Sequence, residues 1–275
     1  MDRRGLALVR PASPLCRISL IAPKGETQCL ASVSGPIEVR FAAEQPSKAT
    51  FEVNVRPLSS LPGTESKALA ASLRGLLSPS IVLSRDPRTL IQLVAQSISP
   101  SPVEGFSPSL IAACINASSL ALLNAGSIPM IGIVCAAAVS WLRSATEDVS
   151  LLVLDPSEAE SRAGVGCGCF AFSFATDISG SQQSPNSLSA RLVWTNWHTK
   201  GGVFEEEEFA RARAFGLAGA QVVWKAIKES IPQMGAMSAL PPLGQSSAEA
   251  MENIAQSNDD IKMSDQESDD AKVEI

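Results

Sequence analysis

Residues 29–40 read CLASVSGPIEVR. Residues 28–33 read as a strand, part of a hairpin-like block. Gly35-Pro36 interrupts the run, and a second extended segment is expected over 37–42. Residues 17–20 form an earlier strand, separated by the Pro23-Lys24-Gly25 turn. Phe51, Val53 and Val55 alternate with Glu52, Asn54 and Arg56, a further half-buried strand.

From Thr64 the period changes from two to about 3.6. Leu69, Leu73, Leu76 and Leu77 line one face of a helix over 65–77, which Pro79 ends. Residues 89–98 return to strand, and the Pro-rich stretch 99–109 reads as a loop. Ser109 is the expected cap of a helix over 110–124, apolar on nearly every side and so expected to be central and buried. Strands follow at 129–142 and 150–154 around a charged turn at 146–148, then at 168–176 and 190–197 around a polar loop at 179–189. A long helix over 205–231 begins with Glu205–Glu208 and carries Lys225 and Lys228 near its end, both favourable to its dipole. The sum is about nine strands and three main helices, an α+β arrangement with long helices packed on a mixed sheet.

The chain has 275 residues, 45% hydrophobic and 18% charged, with no Tyr, so its packing relies on Ala, Leu, Val and Ile. Charge is divided unevenly. Residues 234–275 hold nine acids and two lysines, a net −7, which leaves 20 bases and 19 acids in the rest. A near-neutral folded part argues against a strongly basic nucleic-acid binder acting alone, and equally against an acidic chaperone. The expected organisation is a loose arm over 1–14, one domain over 15–232 and a disordered acidic tail over 233–275. The most apolar stretch, 128–142, has 15 residues and contains Pro129 and Gly132, short of a spanning helix. No CxxC occurs among the six cysteines, and the N-terminus lacks a signal-peptide run, so the expectation is a soluble protein of a reducing intracellular compartment.

Residue chemistry alone offers no convincing active site. His198 is the sole histidine, with no GxSxG or reactive-cysteine context, and reads as a surface or turn residue. Cys167-Gly168-Cys169 on a strand directs two thiols to one side, with packing as the simpler role, because no nearby second pair completes a zinc set. Glu205–Glu208 fan around a helix start and do not converge on one ion. Neither a metal nor a cofactor is expected.

The ordered set CLASVSGPIEVR (29–40), ATFEVNVRP (49–57), residues 61–77, DPRTLIQL (86–93), LIAACINASSLALLNAG (110–126), PMIGIVCAAAVSWL (129–142) and LLVLDP (151–156) resembles the RNase PH family. It covers most of residues 15–230. Within that family it is most similar to the non-catalytic members of the eukaryotic exosome ring. The resemblance implies an RNase PH-like fold (ribosomal protein S5 domain 2-like), paired head-to-tail with a second such subunit in a six-membered ring. It also implies S1/KH-type cap subunits and RNA in the ring channel as partners, no membrane, a role in rRNA processing and RNA turnover, and residence in nucleus and nucleolus and also in cytoplasm.

Active relatives release nucleotides from the RNA 3′ end by phosphorolysis, using basic side chains for phosphate and acids for the transfer. Here the arginine-rich helix of those relatives is TESKALAASLR (64–74), whose only bases are Lys67 and Arg74. The acidic loop is LDPSEAESRAGVG (154–166), where Asp155 remains and no aspartate follows until Asp177. A phosphate-clamping guanidinium replaced by alanine is not restored by a lysine elsewhere. The implied reading is a non-catalytic subunit, with Asp155 as a vestigial acid and Arg56, Lys67 and Arg74 as RNA-contact candidates beside the plainer reading of ordinary surface bases. Two alternatives stand against it: an active phosphorolytic 3′–5′ exoribonuclease with a diverged site, and a stand-alone nuclease or scaffold that docks through its acidic tail.

Overall fold

The structure is a computed structural model and describes residues 6–8, 16–21, 27–58, 61–99, 106–143, 150–175 and 189–238. The expected turn at 146–148, most of the loop at 179–189, most of the N-terminal arm and the chain beyond 238 lie outside the described residues. The described residues up to Ser230 make one compact unit. Of the second, residues 231–275, only the helical stretch 231–238 is described.

The expected mixed sheet is two five-stranded sheets. The first takes β1 (Leu6–Leu8), β2 (Cys16–Ile21), β3 (Gln28–Glu38), β4 (Thr50–Arg56) and β5 (Thr89–Ser97) in the order β1-β2-β3-β5-β4. All its pairings are antiparallel except β4 with β5, which are parallel and joined over the sheet by helix α1 (Thr64–Leu77). A parallel pair needs such a crossover, because a tight hairpin cannot return the chain in the same direction. Leu6–Leu8, within the stretch expected to be a loose arm, is an edge strand on β2, with Leu6 opposite Leu20.

The opening motif is one strand rather than two. Gly35-Pro36 does not turn the chain; it makes an irregularity in the pairing with β5 between Ser34 and Ile37. Gly35 has φ +149°, and a Cβ there would lie 2.9 Å from the Leu90 carbonyl oxygen. Only glycine suits that conformation and that close approach.

Helix α2 (Pro108–Ala125) lies between the two sheets, against β2, β3 and β5 on one side and strands of the second sheet on the other. It is long and apolar enough to cross a membrane, but 83% of it is buried inside this fold, which marks it as a core helix. Its cap is Ser107, whose hydroxyl accepts from the Leu110 amide, and not the expected Ser109, which donates instead to the Pro156 carbonyl. Gly126, at φ +64°, ends the helix in the left-handed conformation that glycine favours.

The second sheet is antiparallel throughout: β6 (Ile133–Arg143), β7 (Ser150–Leu154), β8 (Gly166–Ala175), β9 (Ser189–Thr195) and β10 (His198–Thr199), with β8 pairing β6, β9 and β10. Covered on both faces, β6 is an almost unbroken buried run, which explains its continuous apolar sequence. On one face Val134, Ala136, Ala138, Cys169 and Ala171 share a core with α2. On the other, Phe170 packs against Phe209 of helix α4 (Glu206–Ser238), and Gly216 and Gly219 bring that helix close. Its last residues pass the domain boundary expected at 232.

β7 covers only part of one edge of β6, from Val139 to Arg143. Beyond it, Ser119 donates to the Val134 carbonyl, Asn116 bonds both backbone groups of Ala136, and the Asp155 amide donates to the Ala138 carbonyl. These polar side chains of an otherwise apolar helix thus satisfy a buried strand edge.

Candidate nucleic-acid interface

Arg56 is the last residue of β4 and is exposed. Its strand alternates, with Phe51, Val53 and Val55 buried and Arg56 on the outward phase. α1 buries Ser66, Leu69, Leu73, Leu76 and Leu77, which leaves Lys67 and Arg74 exposed. Seven residues make nearly two turns, so these two bases share a face, about 10 Å apart along the axis. Arg74 sits in the last turn, where a cation suits the helix dipole. Phe51, Val53 and Val55 share a core with Leu69, Leu73, Leu76 and Leu77 of α1, so Arg56 lies on the phase of β4 that turns away from that helix, and the structure brings together only Lys67 and Arg74, as solvated charges able to meet phosphates.

Asp155 belongs to the other sheet. It follows β7 in a left-handed conformation, φ +50°, which aspartate tolerates better than most residues. This turn lets its amide reach Ala138 and the next carbonyl, that of Pro156, accept from Ser109 on α2. The residue thus has a structural task at the junction of β6, β7 and α2.

The acids that follow are engaged locally by a short helix the sequence reading missed, α3 (Glu158–Ala163). Ser157 and Glu160 form a reciprocal capping box: the Ser157 hydroxyl accepts from the Glu160 amide, and a Glu160 carboxylate oxygen accepts from the Ser157 amide at 2.7 Å. Glu158 pairs with Arg162 one turn on, at 2.5 Å. The S-x-x-E spacing at 157–160 was a legible signal for that helix. Among the described residues no group of three or more His, Cys, Asp or Glu side chains is placed to hold a metal ion.

Glu205–Glu207 are exposed at the start of α4, as expected of a solvated helix start. His198 is exposed too, but its surroundings differ from the expectation. Its Nε2 is 3.3 Å from Cys167 Sγ, so a cysteine partner is present. Thirty-one residues separate the two in sequence; the pairing of β10 with β8, which sets His198 opposite Cys167, brings them together. The two thiols of the CxC motif also part company: Cys169 is fully buried in the core, whereas Cys167 is half-buried.

Residues 19–127 match the model of the RNase PH family, described as the 3′ exoribonuclease family, domain 1. The chain is similar to the exosome complex component rrp46 of Schizosaccharomyces pombe, 37% identical over 125 residues, which are 46% of this chain and 53% of that protein. It is equally similar, 37% over 102 residues, to the exosome complex component RRP46 of Saccharomyces cerevisiae, covering 37% of this chain and 46% of the relative. The chain thus spans about half the length of these relatives. In fold it is similar to the crystal structure of rice (Oryza sativa) Rrp46, with a TM-score of 0.59 at 24% identity, over 83% of this chain and 96% of the other.

Proposed function

We propose that this chain, a member of the RNase PH family through its domain 1, is a non-catalytic structural subunit of an RNA exosome ring. It would support 3′-to-5′ RNA processing and degradation, rRNA processing included, by building the core and helping to guide RNA. The observation that carries the non-catalytic reading is the 155–163 segment: Asp155 holds a left-handed turn, Glu158 pairs with Arg162, and Glu160 closes a capping box. Phosphorolysis needs carboxylates directed at a substrate phosphate or its ion. Here two of the three acids are directed at their own short helix. On the basic side, Lys67 and Arg74 are the only cations of α1.

The proposed partners are other RNase PH-like subunits, paired head-to-tail in a six-membered ring, S1/KH-type cap subunits, and RNA in the channel. Nucleus, nucleolus and cytoplasm are the proposed locations. Exposed apolar side chains, among them Phe41 at 92% and Leu61 at 83% exposure, fit a surface that neighbours cover.

The test is to assemble the chain with its RNase PH-like neighbours and supply RNA, inorganic phosphate and magnesium. No nucleoside diphosphate release attributable to this subunit is expected. Release that disappears on Asp155→Asn would establish the competing reading, an active exoribonuclease with a diverged site. Affinity purification that recovers only a lone monomer would reject ring membership.

A further inference from the structure

The sequence between the two cysteines of the CxC motif is a glycine for a steric reason. A Cβ on Gly168 would lie 2.6 Å from Trp197 Cα, so only glycine lets the 196–198 segment cross β8 this closely. The Asn196 side chain fastens that crossing, its Oδ1 accepting from the Cys169 amide at 2.7 Å, while the Asn196 amide donates to the Cys169 carbonyl at 3.3 Å. His198 is held in turn by the Asn196 carbonyl oxygen, 3.1 Å from Nδ1. A carbonyl oxygen only accepts, so the proton of the neutral ring resides on Nδ1, and Nε2 presents a lone pair. That lone pair faces Cys167 Sγ at 3.3 Å, and the S–H donates to it. Thiol, base and a third group orienting the base are the parts of an activated nucleophile.

We propose that Cys167 and His198 form a base-assisted thiol site that exchanges with small-molecule disulfides to give a mixed disulfide on Cys167. The Cys167 proton passes to His198 Nε2, and the sulfur attacks one sulfur of the incoming disulfide. Its S–S bond breaks as the Cys167 S–S bond forms, and the departing thiolate takes the proton from Nε2 and leaves as a thiol. One disulfide is consumed and one formed, so no further oxidant is needed. Burial pushes the Cys167 thiol up from its ordinary value, against the nearby Lys200 charge. Few thiolates therefore preexist, which makes the adjacent base the device that matters. By contrast, Cys29, Cys114, Cys135 and Cys169 are each 0% exposed, and burial pushes Cys135 up to about 12.

The test treats the full chain with oxidised glutathione at neutral pH and locates adducts by intact mass and peptide mapping. A glutathione on Cys167 is expected, removable by a reductant and absent from Cys167→Ser. His198→Asn, which alters an exposed side chain, should slow the exchange about tenfold or more while leaving the thermal midpoint unchanged. Should that variant prove destabilised, His198→Gln and the rate of iodoacetamide alkylation at Cys167 give the same reading. Exchange at the wild-type rate without the imidazole, or an adduct confined to other cysteines, overturns the proposal. The experiment needs no ring and no RNA, so its outcome is independent of the scaffold role.

Discussion

Joint replacement of Arg56, Lys67 and Arg74 by alanine should flatten the salt dependence of RNA binding by the assembled ring. All three side chains are exposed, so truncation removes charge and little packing. Surface changes of this kind alter stability by no more than about 0.5 kcal/mol each, which leaves the subunit folded. Each phosphate neutralised on a single strand contributes a slope of about −0.7 in log K against log salt, so three contacts amount to about −2. Over a fourfold rise, from about 50 to about 200 mM, the wild-type ring should then lose roughly 20-fold more affinity than the triple variant. The assay is fluorescence anisotropy of a labelled single-stranded RNA titrated with intact ring at several salt concentrations, with ring assembly verified by size-exclusion chromatography. Lys67 and Arg74 share one face of α1, so the pair should account for about two thirds of the change. An identical slope for wild type and triple variant refutes the phosphate-contact reasoning. So does a loss of affinity that is the same at every salt concentration.

Two further outcomes concern the scaffold itself. Asn116→Ala strips both partners from the buried backbone of Ala136, the Oδ1 that accepts from its amide at 2.7 Å and the Nδ2 that donates to its carbonyl at 2.8 Å, and should cost about 2–5 kcal/mol by urea denaturation; a loss below about 1 kcal/mol would reject the edge-capping role. Gly35→Ala places a Cβ 2.9 Å from the Leu90 oxygen and 3.0 Å from Ile91 Cα at a φ of +149°, and should lower the urea midpoint by the equivalent of about 1–3 kcal/mol; a neutral result would mean that β3 shifts its register there.

What the sequence made legible follows from the range over which each signal acts. β4, α1 and β5 lie almost where residues 51–55, 65–77 and 89–98 placed them, because hydrophobic period is a local property. Gly35-Pro36 was misread for the same reason: locally it is a turn dipeptide, and only the pairing of β3 with β5 keeps the strand running through it. The division into two sheets depends on α2 inserting between them, a fact of packing that no window of sequence carries. The apolar girth of α2 did foretell its burial. It did not foretell that Asn116 and Ser119 would finish a strand edge 15 to 20 residues downstream. The candidate bases Arg56, Lys67 and Arg74 could be placed as exposed from their phase in strand and helix. The Cys167–His198 pair could not, since it exists only through cross-strand register.

Under the proposed non-catalytic role, the 155–163 segment offers a route by which phosphorolysis is lost without disturbing the fold. The edge of β6 beyond β7 must be satisfied whatever the protein does, and at Ala138 the Asp155 amide does so through a left-handed turn. That task uses the backbone of residue 155, so the position tolerates aspartate for conformational reasons even when no chemistry depends on its carboxylate. The following acids stabilise α3 through side-chain contacts worth about 1 kcal/mol for the cap and less for the exposed pair with Arg162, small terms that touch nothing in the core. Catalytic and structural demands on this segment therefore fall on different atoms. Under the proposed scaffold role, selection for ring assembly would hold the backbone path of the loop while leaving its carboxylates free to be reassigned to local hydrogen bonds, as Glu158 and Glu160 are.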